Sequence, residues 1–315
     1  MNLTTHIILR SQTDLLEETL RSLLPLHSTV LAADVGASRA ALSVCKSYNL
    51  EVKKYPWKKS FSEVRNRMAD DSKTDWNLFL EPWEALMDGH EAIVEATQGE
   101  PIARRLAILA GESLRKEVRL WHKGAGCQFT NPVFEGLECP ANAYCHAVIW
   151  ENKIERPEVK ELLEVWEKTE PFCQDMRYFK ALDFLAAGNH QGFVRMAKQY
   201  LFHQKAQPVA CAMIRYYLGL VNCMMENDYA EASKNAILCL AANPLMAEYW
   251  CLLGDTFFRG GDLARAEHFY QNARVLGSRR LNDDAWPMHI PKYEEYPAAM
   301  IQRCQMLRGN VKRSS

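Results

Sequence analysis

Over the first 150 residues, short apolar runs alternate with amphipathic stretches. HIIL (6–9), TVLAADV (29–35), LEVKKYP (50–56) and WNLFL (76–80) have the length and patterning of strands. Between them DLLEETLRSLLPL (14–26), SRAALSVCKSYN (38–49) and SFSEVRNRMADDS (60–72) repeat apolar positions at helical spacing, and HEAIVEATQ (90–98) follows as a fourth helix. This alternation predicts βαβ units with right-handed crossovers, hence an α/β domain over 1–150 built on a mostly parallel sheet. Ligands of open sheets bind beyond the carboxyl ends of the strands. That rule singles out ADVGAS after the second strand and EPWE after WNLFL.

From about residue 155 the strand signals vanish, and 151–280 reads as an all-α domain of helical repeats. In the last unit Trp250, Leu253, Gly254, Phe257, Ala266, Tyr270 and Ala273 occupy the spacing of a tetratricopeptide (TPR) repeat. The preceding unit offers Leu218, Gly219, Ala232, Cys239 and Pro244 with one extra residue in its turn, and 176–203 is a weaker copy turning at Gly188-Asn189. Small residues let paired helices approach, while large ones fill the groove between neighbours. The tail 281–315 carries three prolines together with Trp286, His289, Tyr293 and Tyr296, a composition that predicts packing back on the domains.

Charge adds mainly exclusions. The net charge is −1 and the pI near 6.8, so no global field draws nucleic acid or an anionic membrane. The ten cysteines are scattered and contain no Cys-x-x-Cys pair, which predicts reduced core thiols, Cys139 and Cys145 included, and argues against structural zinc. With no secretory leader and no apolar stretch of about 20 residues to span a bilayer, a cytoplasmic location is expected.

The quoted motifs resemble family 2 glycosyltransferases of the GT-A fold (Rossmann-like), in particular the group with TPR repeats behind the catalytic domain. Asp34, Gly36 and Ser38 in ADVGASR stand where that family ends its second strand in an Asp and a Gly-Ser turn, with Arg39 in place of a further Asp. Trp57 through Phe61-Ser62-Glu63-Val64-Arg65-Asn66 matches its Trp and Phe-Ser-x-x-Arg-Asn. The resemblance implies that Asp34, Gly36, Ser38, Arg65, Asn66, Glu81 and Trp83 hold the donor, a nucleotide-diphosphate sugar and in the first place a uridine diphosphate sugar.

The family's Asp-x-Asp-Glu is degenerate in this chain. Glu81 replaces the first acid, Trp83 the second and Glu84 the trailing one, while the family's His-Glu pair reads Phe134-Glu135. Both expected metal ligands are therefore aromatic. Glu81 and Glu84 could still hold Mn2+ or Mg2+ with water and phosphates completing the shell, and His122 is a further candidate ligand. Without a metal, Arg65, Arg119 and Lys123 are the candidate counter-charges for a leaving diphosphate. Glu84 and Glu135 are the candidate catalytic bases. For Trp121 core packing is the stronger reading.

Two functions follow. The first is a hexosyltransferase-type glycosyltransferase whose TPR groove presents a protein or peptide acceptor. The second is an inactive GT-A scaffold with a TPR interaction module.

Overall fold

The structure, a computed structural model, describes residues 2–10, 14–152, 154, 156–202, 207–276 and 286–311. It divides into two compact units, Met1–Trp166 and Glu167–Ser315.

In the first unit β1 (Leu3–Leu9), β2 (Thr29–Asp34), β3 (Glu51–Lys54) and β4 (Trp76–Phe79) are parallel, joined through α1 (Leu16–Leu23), α2 (Arg39–Ser47) and α3 (Phe61–Asp71). The chain continues through β5 (Glu84–Asp88), α4 (His90–Ala96), β6 (Ala103–Ala110), β7 (Ser113–His122), the hairpin β8 (Gln128–Thr130) and β9 (Gly136–Glu138), and β10 (Asn142–Glu151). One mixed sheet runs β3-β2-β1-β4-β7-β6-β10-β5, in which β5 and β7 oppose the other strands. The core under it includes Leu3, Ile7, Leu9, Leu78, Leu106, Ile108 and Leu120, packed against Leu16, Leu20 and Leu23 of α1 and Ala41 and Cys45 of α2. β1 is buried at every position, as a central strand covered on both faces should be. Ser38 and Ser60 fix the starts of α2 and α3 by accepting the backbone N–H of Ala41 and Glu63.

WNLFLEPWEAL is a strand, a turn and a second strand. β4 ends at Phe79, Pro82 and Trp83 turn the chain, and Glu84 opens β5, which pairs with β10 at the far edge of the sheet. The first unit ends inside α5 (Pro157–Thr169).

One cysteine expectation is corrected. Cys127 and Cys139 flank the β8–β9 hairpin with Cα atoms 4.3 Å apart and are joined in a disulfide, because the antiparallel register brings them opposite each other. Cys45, Cys145, Cys223, Cys239, Cys251 and Cys304 are buried free thiols.

The second unit pairs α6 (Gln174–Ala186) with α7 (His190–Leu201), α8 (Pro208–Val221) with α9 (Tyr229–Ala242), and α10 (Ala247–Arg259) with α11 (Leu263–Leu276). The extra residue in the second turn is absorbed by a π-helical segment, Asn222–Glu226, continuing α8. A Cβ on Gly254 would lie 2.5 Å from the Tyr270 ring and one on Gly219 2.6 Å from Leu252, so these glycines set the helix approach. By length and composition Pro208–Glu226 could cross a membrane, which corrects the expectation that no such stretch exists. Its Ile214, Leu218 and Val221 pack in the repeat core with Phe193 and Tyr200 of α7.

Of the tail, residues 281–285 and 312–315 lie outside the described residues. The helix α12 (Glu295–Val311) and Tyr293 pack on the last repeat. Two buried acids of α10 hold this segment. Glu248 accepts from the Tyr293 hydroxyl (2.9 Å) and the His289 N–H (2.6 Å), and Asp255 accepts from the hydroxyls of Tyr270 (2.7 Å) and Tyr296.

Candidate active site

The acids of EPWE do not stand open; each meets an arginine from a different element. Arg65, on the buried face of α3 and 1% exposed, pairs with Glu81 after β4 and donates from Nε to Glu135 at 2.6 Å. Arg119, on β7, reaches both oxygens of Glu84, at 2.8 and 3.0 Å. The two half-cages touch, because Glu84 also accepts the Glu81 backbone N–H at 2.8 Å. Between the guanidinium groups stands Phe79, whose ring centre lies 4.4 Å from Arg65 and 4.1 Å from Arg119. Phe129 and Trp121 close the aromatic wall edge to face.

Glu135 is placed by its neighbour. Phe134 takes φ +52, an uncommon conformation for an aromatic residue, between β8 and β9. Asn66 pins β8 to α3, exchanging hydrogen bonds with both backbone groups of Phe129 at 2.9 Å. Its role is thus to brace the hairpin that carries Glu135.

The carboxylates are electrostatically unequal. Burial pushes the Glu84 carboxyl up, to about 7, against the pull of Arg119. Burial acts on Glu81 too, but Arg65, then Arg156 and Arg119, outweigh it and hold that group low. Among the described residues, hydrogen bonds engage a single oxygen of Glu81 and a single oxygen of Glu135. Glu84 is fully enclosed, so it cannot meet an acceptor, whereas the Glu81 side chain keeps 13% exposure.

Asp34 accepts the N–H groups of Gly36 and Ala37, which, Ala37 first, lower its carboxyl below the usual range. Ser38 caps α2, and Arg39 is exposed beside it. Trp83 is buried, its carbonyl accepting the Asn152 side chain. Trp121 is core. His122 accepts the Gly124 N–H through Nδ1, and Lys123 donates to the Ser72 carbonyl. An open hollow of about 810 Å3 lies at the other end of β5 from Glu84, lined by Asp88, His90, Glu91 and Glu95, and includes none of these residues.

A divalent cation does not fit Glu81 and Glu84 as they stand. Both oxygens of Glu84 and one of Glu81 are claimed by guanidinium groups, and among the described residues no group of three or more His, Cys, Asp or Glu side chains is placed to hold a metal. Arg65 and Arg119, candidate counter-charges in the sequence, are consumed by acids.

Two cations went unread in the sequence. Arg10 follows β1 and lies over the Trp57 ring at 4.1 Å. Arg156 precedes α5 and lies over Trp83 at 5.0 Å and Phe61 at 5.5 Å. Neither has a local motif; only the fold makes them neighbours of the cluster.

No family model matches the chain, and no curated protein matches it. Solved structures are similar to it at low identity. TarS 1–349 from S. aureus in complex with UDP-GlcNAc is 10% identical, with a TM-score of 0.41 over 87% of this chain and 92% of that one. TarS 1–349 alone is 9% identical, with a TM-score of 0.38 over 90% and 94%. The Sgt2 TPR domain from Aspergillus fumigatus is 13% identical, with a TM-score of 0.35 over 44% and 82%.

Proposed function

We propose that the chain is a glycosyltransferase that takes a sugar from a nucleotide diphosphate without a protein-held metal. The observation that carries this reading is Arg65, a fully buried guanidinium shared by Glu81 and Glu135 at the carboxyl end of β4, with one oxygen of each acid unengaged among the described residues. In the reaction, the acceptor oxygen or sulfur bonds to the anomeric carbon as the bond to the diphosphate breaks. The electron pair leaves on the diphosphate, and the acceptor proton passes to a carboxylate. We assign the base to Glu135 and the sugar contact to Glu81. Asp34 and Ser38 are assigned to the nucleoside end, and the repeats to a protein or peptide acceptor, since repeat surfaces of this kind bind extended chains.

The test is release of nucleoside diphosphate from a panel of nucleotide sugars in EDTA. Glu135→Gln is expected to lower turnover by about 100-fold or more, with donor binding kept. Neither hydrolysis nor thermal stabilisation with any donor would end this reading. Glu84, enclosed and fully paired, favours a second one: an inactive domain serving as a scaffold. Donor binding without turnover on any peptide or protein acceptor would select it.

A further inference from the structure

A row of cations and rings runs along the carboxyl ends of the strands. Arg10 lies on Trp57; the rings of Trp57 and Phe61 sit 4.8 Å apart; Arg156 covers Phe61 and Trp83. Trp57 follows β3, Phe61 opens α3, and Trp83 stands between β4 and β5, so the row crosses the open edge of the sheet next to the Arg65 cage.

Among the described residues near the cluster, these two arginines donate no hydrogen bond to a carboxylate. Arg65 and Arg119 are spent on carboxylates. Lys53, Lys58 and Lys59 pair with Asp71, Glu63 and Glu161, and Lys123 is on a carbonyl. Nη1 of Arg10 and Nε of Arg156 are buried with no hydrogen-bond partner, as are Nη1 of Arg65 and Nε of Arg119. Arg65 and Arg119 already donate to carboxylates, however, whereas the acid facing Arg156, Glu158, stands 3.7 Å away, beyond hydrogen-bond reach. A buried N–H without an acceptor is costly, so such a group is a standing demand for one. A guanidinium held over a ring face can still offer N–H groups to a ligand, and its planar fork matches phosphate oxygens.

We propose that Arg10 and Arg156 bind the diphosphate of a nucleoside diphosphate, supplying the positive charge that the paired acids of EPWE leave no metal to supply. This rests on the reading of the chain as a nucleotide-sugar transferase, and it names the part of the site that stabilises the leaving group. The aromatic row holds both guanidinium groups in place, so little reorganisation is needed as negative charge develops.

Isothermal titration in EDTA tests it with three probes: uridine diphosphate, inorganic pyrophosphate and uridine. Arg10→Gln and Arg156→Gln are each expected to weaken uridine diphosphate by about tenfold and the double variant by about a hundredfold, leaving uridine unchanged. Arg10→Lys and Arg156→Lys, which keep charge and are the milder changes for folding, should retain part of the affinity. Thermal melts establish that each variant is folded. Equal uridine diphosphate affinity in wild type and the folded variants overturns the inference while the transferase reading stands. Pyrophosphate binding that needs the arginines, without any nucleotide binding, overturns both the inference and the transferase reading and leaves only an inorganic anion site. No binding of any phosphate probe to the wild type overturns both.

Discussion

Arg119 donates to both oxygens of Glu84, 35 residues away in sequence, and the acid is completely enclosed. An ion pair in that setting is held by geometry more than by net gain. Removing one partner leaves a buried charge alone, whereas removing both need not. Arg119→Met is expected to destabilise the chain by about 3–5 kcal/mol, and Arg119→Met with Glu84→Leu by less. Denaturant melts of the two singles and the double check this; an additive double variant would contradict the pairing.

His6 lies inside the sheet, its Nε2 3.0 Å from the Asn77 side-chain oxygen and its ring edge-on to Trp121 at 5.7 Å. Burial first, then Arg65 and Lys123, press its pKa down to about 3, against the Asn77 hydrogen bond that raises it. The folded state therefore binds fewer protons than the unfolded one between about pH 6.5 and 3. Stability is complete above the unfolded value and falls as pH drops through that window, by up to ~4 kcal/mol. Between pH 6.5 and 5, before most carboxylates titrate, the wild-type melting temperature should fall more steeply than that of His6→Gln.

Asp255 takes the hydroxyls of Tyr270 and Tyr296 and lies 3.8 Å from Lys292, whose ammonium covers the Tyr296 ring at 3.2 Å. Asp255→Asn should cost about 2–3 kcal/mol and loosen α12 before the rest of the repeats. Amide hydrogen exchange would show it as faster exchange over Glu295–Val311. Uniform acceleration through α6–α11 would contradict the assignment.

The Cys127–Cys139 bond closes the segment that carries both Phe129 and Glu135. Reduction by a dithiol should raise exchange in β8 and β9 and weaken the Glu135–Arg65 contact, while β1–β4 stay protected. Cys127→Ser with Cys139→Ser should reproduce the effect without reductant. Unchanged exchange in the hairpin would show that the bond does not order it.

Much of this protein is written locally. Short apolar runs alternating with amphipathic stretches, then helical spacing alone, separate an α/β half from a helical half because side-chain direction repeats with the backbone of each element. Gly254 and Ala266 predict a close helix pair, which is present, and the extra residue after Gly219 is taken up in a π-helical segment. The position of EPWE at a strand end was equally legible. What that cluster does was not, since its partners come from α3 and β7, 16 and 35 residues distant, and Arg65 in turn binds Glu135 of the hairpin, 70 residues away. The opposed directions of β5 and β7, the cysteine pair and the row from Arg10 to Arg156 are likewise set by pairings remote in sequence. Local pattern determines which elements form and which faces they bury. Only packing those faces together decides which charges are neutralised and which N–H groups remain for a ligand, because burial and charge pairing are properties of the assembled fold.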